Sequence, residues 1–458
     1  MESYPSNNDL KVKVDSRQIL SIAMPITLAI LVPQLNLLVN SIFLGHLSNQ
    51  ALGNAGITGV FYLIFAVAGH GLNSSMQSVF SGYAGSGKPE AFKTVLSQGI
   101  RISIQLSVLF ILFTWFIAPF ILQQVSSPDS YPMEMSFLRI RILGLPFLFL
   151  FQMGNSFLIS SLNSRFLMIG FLFEALINVL FDYLLIFGKM GFPQMGFNGA
   201  AVASVIAECT GMIVVFAVIF ITGLKKKYGL LKSFSYNDVI SKEIKKIALP
   251  LILQFIISLT TWLIFFLLIE SKGPIAKAVS NTMRNVFGLA GVFIWAFAGT
   301  SNTMVSNLIG QNRKEMVIPV VKKISLWSLG LCMVMICFLN LFPVTFFSLF
   351  GQDKSFLAEG VPVIRMVSLG MIFMSVSNIW LNAVTGTGNT RINLQIEIIS
   401  ISLYLAYTWY FMKLHYISLS IAWSNEFVYW LSILFMASGY MFSKKWMHMQ
   451  GNKKIKKH

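Results

Sequence analysis

Long apolar runs alternate with short polar breaks along almost the whole chain. Runs near 19–45, 55–82, 95–122, 135–161, 167–188 and 199–223 precede a polar, basic stretch at 224–246. Six more lie near 247–270, 278–309, 318–349, 359–384, 392–412 and 418–442. A helix needs about 20 apolar residues to cross the hydrocarbon core of a bilayer, so each run predicts one spanning helix. The expected fold is an all-α integral membrane protein of twelve transmembrane helices in two six-helix lobes. The implied division is a cytoplasmic tail at 1–18, an N-lobe at 19–223, a basic linker at 224–246, a C-lobe at 247–442 and a basic tail at 443–458. The runs at 278–309 and 318–349 are long enough to contain a kink.

Composition agrees with this pattern. The chain is 55% hydrophobic and 11% charged, with a mean hydropathy of +0.72, whereas soluble domains carry about 25% charged residues. A soluble protein built this way could not cover its surface with polar groups. The net charge of +17 would suggest a nucleic-acid partner in a soluble protein. Here the basic residues occupy short loops, so no nucleic-acid binding is expected. Twenty-four of the 34 Lys and Arg fall on one set of alternate loops and the two tails, and six on the opposite side. That bias orients both termini and the 224–246 linker toward the cytoplasm of a multi-pass cell-membrane protein, of the bacterial inner-membrane kind. Cys209, Cys332 and Cys337 fit no zinc or disulfide spacing and are expected to be small apolar core residues. The polar N-terminus followed by a long apolar run is unlike a cleavable signal.

The two halves share a pattern. Ile22-Ala-Met-Pro25 opens the first span and Ile247-Ala-Leu-Pro250 the seventh, while Gly71, Met76, Ser78 and Gly82 correspond to Gly299, Met304, Ser306 and Gly310. Six spans per half is an even number, so both halves enter the membrane from one side. This is a parallel repeat, a plan in which the substrate pathway lies between or within the halves.

Ionisable groups at membrane depth are costly and mark function by default. Glu174, Asn178 and Asp182 in the fifth span are spaced i, i+4, i+8 and form one stripe on a single helical face. Lipid cannot face such a stripe, so a bundle interior or a water-filled cavity must. Asn155 in the fourth span, Asn40 in the first and Glu208 in the sixth add further polar groups. A structural, hydrogen-bonded cluster is the alternative reading of these residues. A carboxylate in a low-dielectric pocket favours its neutral form, so it can take up a proton, or bind sodium with amide oxygens around it. His70 lies among Asn73, Ser74, Ser75, Gln77 and Ser78 in the second span. Arg284 stands near Asn281 and Asn285 in the eighth, and Glu397, Ser400 and Tyr404 share a face of the eleventh. Arg284 either pairs with Glu397 or snorkels to the surface. Pro25 and Pro33 remove backbone donors inside the first span, which predicts a bend there. The chain has no GxxxxGK[ST] phosphate-binding loop, which points away from direct ATP hydrolysis.

Over nearly its whole length the chain resembles the MATE family of multidrug and toxic compound extrusion antiporters. The most specific segment is Asn178-Val-Leu-Phe-Asp182-Tyr-Leu-Leu-Ile-Phe-Gly188, followed by Gly191-Phe-Pro and Gly196-Phe-Asn-Gly-Ala-Ala-Val-Ala-Ser204. Pro25 and Pro250, Phe43-Leu-Gly45 and Gly310-Gln311 also resemble family features. The resemblance implies two lobes around a V-shaped cavity, and export of drugs or other small amphipathic or cationic molecules against H⁺ or Na⁺. It implies a cation site in the first lobe at Asp182, Asn178 and Asn155. Asn40 stands where family members with that site carry a span-one aspartate, a loss of one charge that Glu174 would have to make good. Where other members carry a span-seven glutamate, this chain has Ser258, and span ten has no acid near its middle. Ser204, Glu208, His70, Arg284 and Glu397 are secondary candidates. No cofactor beyond the coupling H⁺ or Na⁺, no metal other than Na⁺ at Asp182, no enzyme activity and a monomeric state are expected. The competing readings are a lipid-linked oligosaccharide or polysaccharide flippase of the same superfamily, and a membrane-embedded transferase. The transferase would need paired acidic metal motifs or a histidine-centred site, and the sequence displays neither.

Overall fold

The computed structural model describes residues 10–232, 234–270, 272–348, 354–414 and 417–448. The basic run from Lys453 to Lys457 and the first nine residues lie outside them. Twelve long helices follow one another among the described residues: α1 (Ser16–Leu47), α2 (Asn49–Gly85), α3 (Phe92–Phe116), α4 (Tyr131–Ser160), α5 (Leu167–Phe187) and α6 (Phe197–Ile221) form the first half. The second half holds α7 (Asp238–Glu270), α8 (Pro274–Gly310), α9 (Val317–Leu341), α10 (Lys354–Gly386), α11 (Thr390–Leu414) and α12 (Asn425–Phe442). The first ten are long and apolar enough to cross a membrane. The last two fall below that mark because they carry polar groups such as Glu397, Ser400, Asn425 and Glu426, all of them buried.

Prolines set several boundaries that the apolar runs blur. The third run extends to 122, but α3 stops at Phe116 and a separate short helix, Ala118–Val125, starts with Pro119 in its first turn. The ninth extends to 349, yet α9 ends at Leu341 and Pro343 opens another short helix. In both places the proline ring would clash with a carbonyl of the preceding turn. The run at 278–309 has no such break and is one 37-residue helix. Within α4, a tighter turn at Ile142–Gly144 precedes Pro146. Pro25 and Pro33 both lie inside α1, which runs through them as one helix. The cysteines correct an expectation: Cys332 is buried, but Cys209 is only partly so and Cys337 is exposed on the apolar outside of α9.

The repeat is visible in backbone detail. Helices α2 and α8 each have 37 residues, α3 and α9 each have 25, and a short 3-10 turn precedes α3 and α9 alike. The connecting turns contain left-handed residues at equivalent places, Gly87 and Asn312. The turns after α4 and α10 do the same with Leu162 and Gly388.

The helices sort into two compact units. One comprises Met24–Ile252 with residues 10 and 11; the other comprises Val12–Ala23 and the chain from Leu253 onward. The start of α1 belongs to the second unit because Asn307 Oδ1 accepts from the Val12 amide (3.1 Å) and Gln311 Nε2 donates to the Val12 carbonyl (3.1 Å). Inside the first unit, Ser156 and Ser160 on α4 donate to the Asn73 and Gln77 carbonyls of α2. Inside the second, Ser301 and Ser306 on α8 donate to the Ile379 and Gly386 carbonyls of α10. Small hydroxyl residues let helices approach closely and supply the polar contacts that hold them together where lipid gives no hydrophobic drive.

Candidate functional site

Helix α5 carries the acidic stripe. It stops at Gly188, whose left-handed backbone (φ 64°) caps the helix and whose missing Cβ leaves room for Gln194; a Cβ there would lie 2.7 Å from the Gln194 Cβ. One face of α5 turns into the bundle, so Asn178 and Asp182 are buried at 3% and 0% exposure, while Leu172, Phe173, Leu176 and Leu180 are exposed on its other sides. Helix α1 brings two amides to this face. Asn36 Nδ2 and Asn40 Nδ2 both donate to Asn178 Oδ1, at 2.7 and 3.1 Å.

The remaining polar atoms define the site. Both carboxylate oxygens of Asp182, the side-chain oxygens of Asn36 and Asn40, and Asn178 Nδ2 are buried without a hydrogen-bond partner. Buried polar groups are ordinarily paired, and leaving one unmade costs about 1–3 kcal/mol, more for a charge. Four unpartnered oxygens, two on Asp182 and two on the α1 amides bonded to Asn178 one turn away, therefore make an acceptor-rich set. Such a set suits a small hard cation, since carboxylate and amide oxygens are hard ligands. A single carboxylate matches a single positive charge. Among the described residues no group of three or more His, Cys, Asp or Glu is placed to hold a metal ion, so the set does not resemble a transition-metal centre. Asn155 on α4 is also buried with an unpartnered oxygen; it lies on a different helix and, like Asp182, has no hydrogen bond to the three joined amides.

A second cluster lies on the α6 side of the same stripe. Arg141 grips Glu208 with two hydrogen bonds of 2.8 and 2.6 Å, and Tyr62 donates to Glu208 at 2.8 Å. The guanidinium also stacks 3.7 Å above the Tyr62 ring. Gly144 makes this approach possible, because a Cβ at that position would lie 2.0 Å from Glu208 Oε2. Glu174 packs beside Gly211 on α6 and feels the charges of Glu208 and Arg141. Hydrogen bonds therefore join Asn40 and Asn36 to Asn178, with Asp182 one turn further along the same face of α5, whereas Glu174, one turn the other way, lies with Glu208. Arg141 also acts electrostatically on Asp182.

The other sequence candidates are scattered. Ser204 is half-buried one turn before Glu208, without a hydrogen bond among the described residues. His70 is exposed on α2, and Arg284 is exposed on α8. Arg284 makes no ion pair with Glu397, which corrects that alternative: Glu397 is 1% exposed and accepts instead from Tyr429 and Gln254. Sequence reasoning missed Asn36, although its i, i+4 spacing to Asn40 was a usable sign. It also missed that Arg141 and Glu208 are partners, for which 67 residues of separation gave no sign.

A sequence model of the MatE family matches residues 25–184 and 250–410, one block in each half. The chain is 23% identical over 392 residues to a probable multidrug resistance protein NorM of Thermotoga maritima, covering 84% of this chain and 83% of that one. It is 25% identical over 260 residues to a probable multidrug resistance protein NorM of Listeria monocytogenes, covering 56% and 57%. Its fold is similar to that of an outward-facing multidrug resistance MATE family transporter of the MOP superfamily, with a TM-score of 0.86 at 16% identity over 96% of this chain and 99% of the other. It is similar too to a MOP superfamily transporter of Pyrococcus furiosus, with a TM-score of 0.82 at 14% identity, covering 96% and 98%.

Proposed function

The chain belongs to the MatE family, and from that premise we propose that it exports drugs or other small amphipathic, cationic molecules in exchange for H⁺ or Na⁺. The observation that carries this reading is Asp182: fully buried, with neither carboxylate oxygen hydrogen-bonded, one turn from Asn178 and its two amide partners Asn36 and Asn40, whose side-chain oxygens are also unpartnered. A carboxylate left so is incomplete without a positive charge. The bound cation supplies it, and Asn36 and Asn40 contribute oxygens once it is there. Asn178 holds both of these amides by its own oxygen and thereby fixes the spacing of α1 and α5.

Coupling then follows from linkage. A conformation that offers the complete oxygen set binds the cation more tightly than one in which α1 has shifted from α5. Cation binding biases that equilibrium by the difference in affinity and by no more. If the substrate prefers the other conformation, each ligand weakens the other by the same factor, and the ion gradient drives export. Both termini lie in the cytoplasm in this reading, in keeping with the distribution of Lys and Arg. Export in exchange for an inward-moving ion requires that the cation site of the first half be loaded from outside.

The test is Asp182→Asn in the full-length protein. It is expected to insert and fold while efflux of a cationic dye from cells or vesicles drops to background. Full drug resistance in that variant would remove the coupling role. Efflux driven in vesicles by a proton gradient alone, then by a sodium gradient alone, identifies the ion.

A further inference from the structure

The second unit also buries carboxylates, and nothing positive compensates them. Glu397 on α11 is 1% exposed and Glu426 on α12 is 4% exposed. Neither forms an ion pair with any Lys, Arg or His among the described residues. Glu426 accepts from the Trp430 indole at 2.9 Å. Glu397 is held differently. Gln254 Nε2 on α7 donates to one of its oxygens at 3.3 Å, and Tyr429 on α12 donates to the other at 2.5 Å. Tyr429 Oη is in turn 3.1 Å from Ser258 Oγ on α7, and either hydroxyl can be the donor.

We propose that this cluster is a second cation site, specific for the proton, with Glu397 as the acceptor and Tyr429 and Ser258 as the hydroxyl chain that serves it. Three observations carry the proposal. First, the hydroxyls run from half-buried Ser258 and Tyr429 to fully buried Glu397, so the chain leads inward from a more accessible end. Second, a hydroxyl both donates and accepts. When Glu397 is ionised, Tyr429 donates to it; when Glu397 carries the proton, its O–H donates to Tyr429, and Tyr429 turns to donate to Ser258. The transfer balances as one proton gained by the carboxylate and one hydrogen bond reversed at each hydroxyl. Third, buried acceptors around Glu397 lack partners: Gln254 Oε1, whose amide group is already in contact with the carboxylate, and Ser400 Oγ, one turn along the same face of α11. Gln254 and Ser400 are 5% and 0% exposed.

The ligand is a proton because the carboxylate faces donors. Both Glu397 oxygens already receive an N–H or O–H, which a metal ion would have to displace. The Asp182 pocket has the opposite character, with oxygens and no donor turned to the carboxylate. The buried or half-buried titratable groups nearest Glu397 in the chain and by contact are Tyr404 on its own helix and Tyr429 and Glu426 on α12; the charged groups of α7 lie at its two ends, from Asp238 to Lys246 and at Glu270, Arg365 on α10 is exposed, and Arg391 lies exposed at the start of α11. Glu426 acts electrostatically on both tyrosines, so the surroundings of Glu397 add negative charge and no positive partner.

The proposal is independent of the role given to Asp182, and one measurement separates them. Infrared difference spectra of the full-length protein in lipid vesicles, recorded across a pH titration, show each protonated carboxylic acid as its own carbonyl band. Glu397→Gln is expected to remove one band and to lower proton uptake by one per chain. Glu397→Asp is expected to retain a band. Tyr429→Phe should keep the band while shifting its frequency and its midpoint pH, because a hydrogen bond to the acid is lost. A Glu397→Gln protein with all the wild-type bands and undiminished proton uptake would overturn the proposal. Should that variant fail to fold, an unshifted band in Tyr429→Phe overturns it equally. A band lost in Asp182→Asn but not in Glu397→Gln counts for the first-unit site and against this one; the reverse pattern does the opposite.

Discussion

The two halves repeat each other in backbone but bury their acids in opposite ways. In the first half, Asp182 has unpartnered oxygens and amide oxygens for neighbours. In the second, Glu397 has both oxygens engaged by donors. The first arrangement leaves its acceptors unpartnered, and in the proposed reading a cation completes it. The second has both carboxylate oxygens engaged already and, in the proposal above, changes by moving one proton along hydroxyls. A parallel repeat thus preserves helix lengths and turns, as in the equal α2 and α8, while the chemistry inside each half diverges. Backbone geometry constrains where polar groups can sit, and side chains alone decide what they bind.

A third carboxylate marks a further contrast. Glu208 in the first half is locked in a bidentate pair with Arg141, and no counterpart exists for Glu397 or Glu426 among the described residues of the second. Removing one partner of a buried pair costs about 3–5 kcal/mol because the other is left charged and alone. Glu208→Gln is therefore expected to give the largest loss of thermal stability of the purified protein. Glu397→Gln, which breaks no ion pair, should lower the unfolding temperature far less. Equal losses in the two variants would erase the contrast.

Smaller effects probe the Asp182 pocket. Asn36→Ala removes one oxygen from the proposed cation set and one of two donors to Asn178. A single hydrogen bond is worth about 1 kcal/mol, so the ion concentration that half-saturates transport should rise roughly fivefold, with maximal efflux preserved. The same substitution should leave the pH titration of Glu397 unchanged. The slightest change concerns the repeat itself. Leu162 holds a left-handed backbone (φ 60°) in the turn where the second half uses Gly388. That conformation costs a side-chain-bearing residue about 1–2 kcal/mol, so Leu162→Gly should raise the unfolding temperature slightly and leave transport as it is.

Much of this is legible in the chain. The twelve helices follow from run length alone, because every backbone polar group in a membrane must be satisfied within its own segment. The repeat is readable from Pro25 and Pro250, whose spacing α2 and α8 share, whereas the Gly, Met and Ser matches lie three residues out of that register. The stripe of Glu174, Asn178 and Asp182 follows from helical periodicity, which places them on one face whatever that face meets.

Periodicity, however, describes one helix at a time and cannot say which neighbour a face touches. Packing between helices set Asn178 against Asn36 and Asn40 while Glu174 turned to α6, so that one stripe serves two clusters. Packing likewise joined Arg141 to Glu208 and kept Arg284 from Glu397. It also turned Ser258 from the sign of a missing acid into the outer member of a chain that leads to one. Residue identity and spacing are enough to mark which side chains are too polar for lipid, since the cost of burying them is a property of each group. Which of them share a pocket depends on helix contacts between residues far apart in the chain, and those arise only when the bundle assembles.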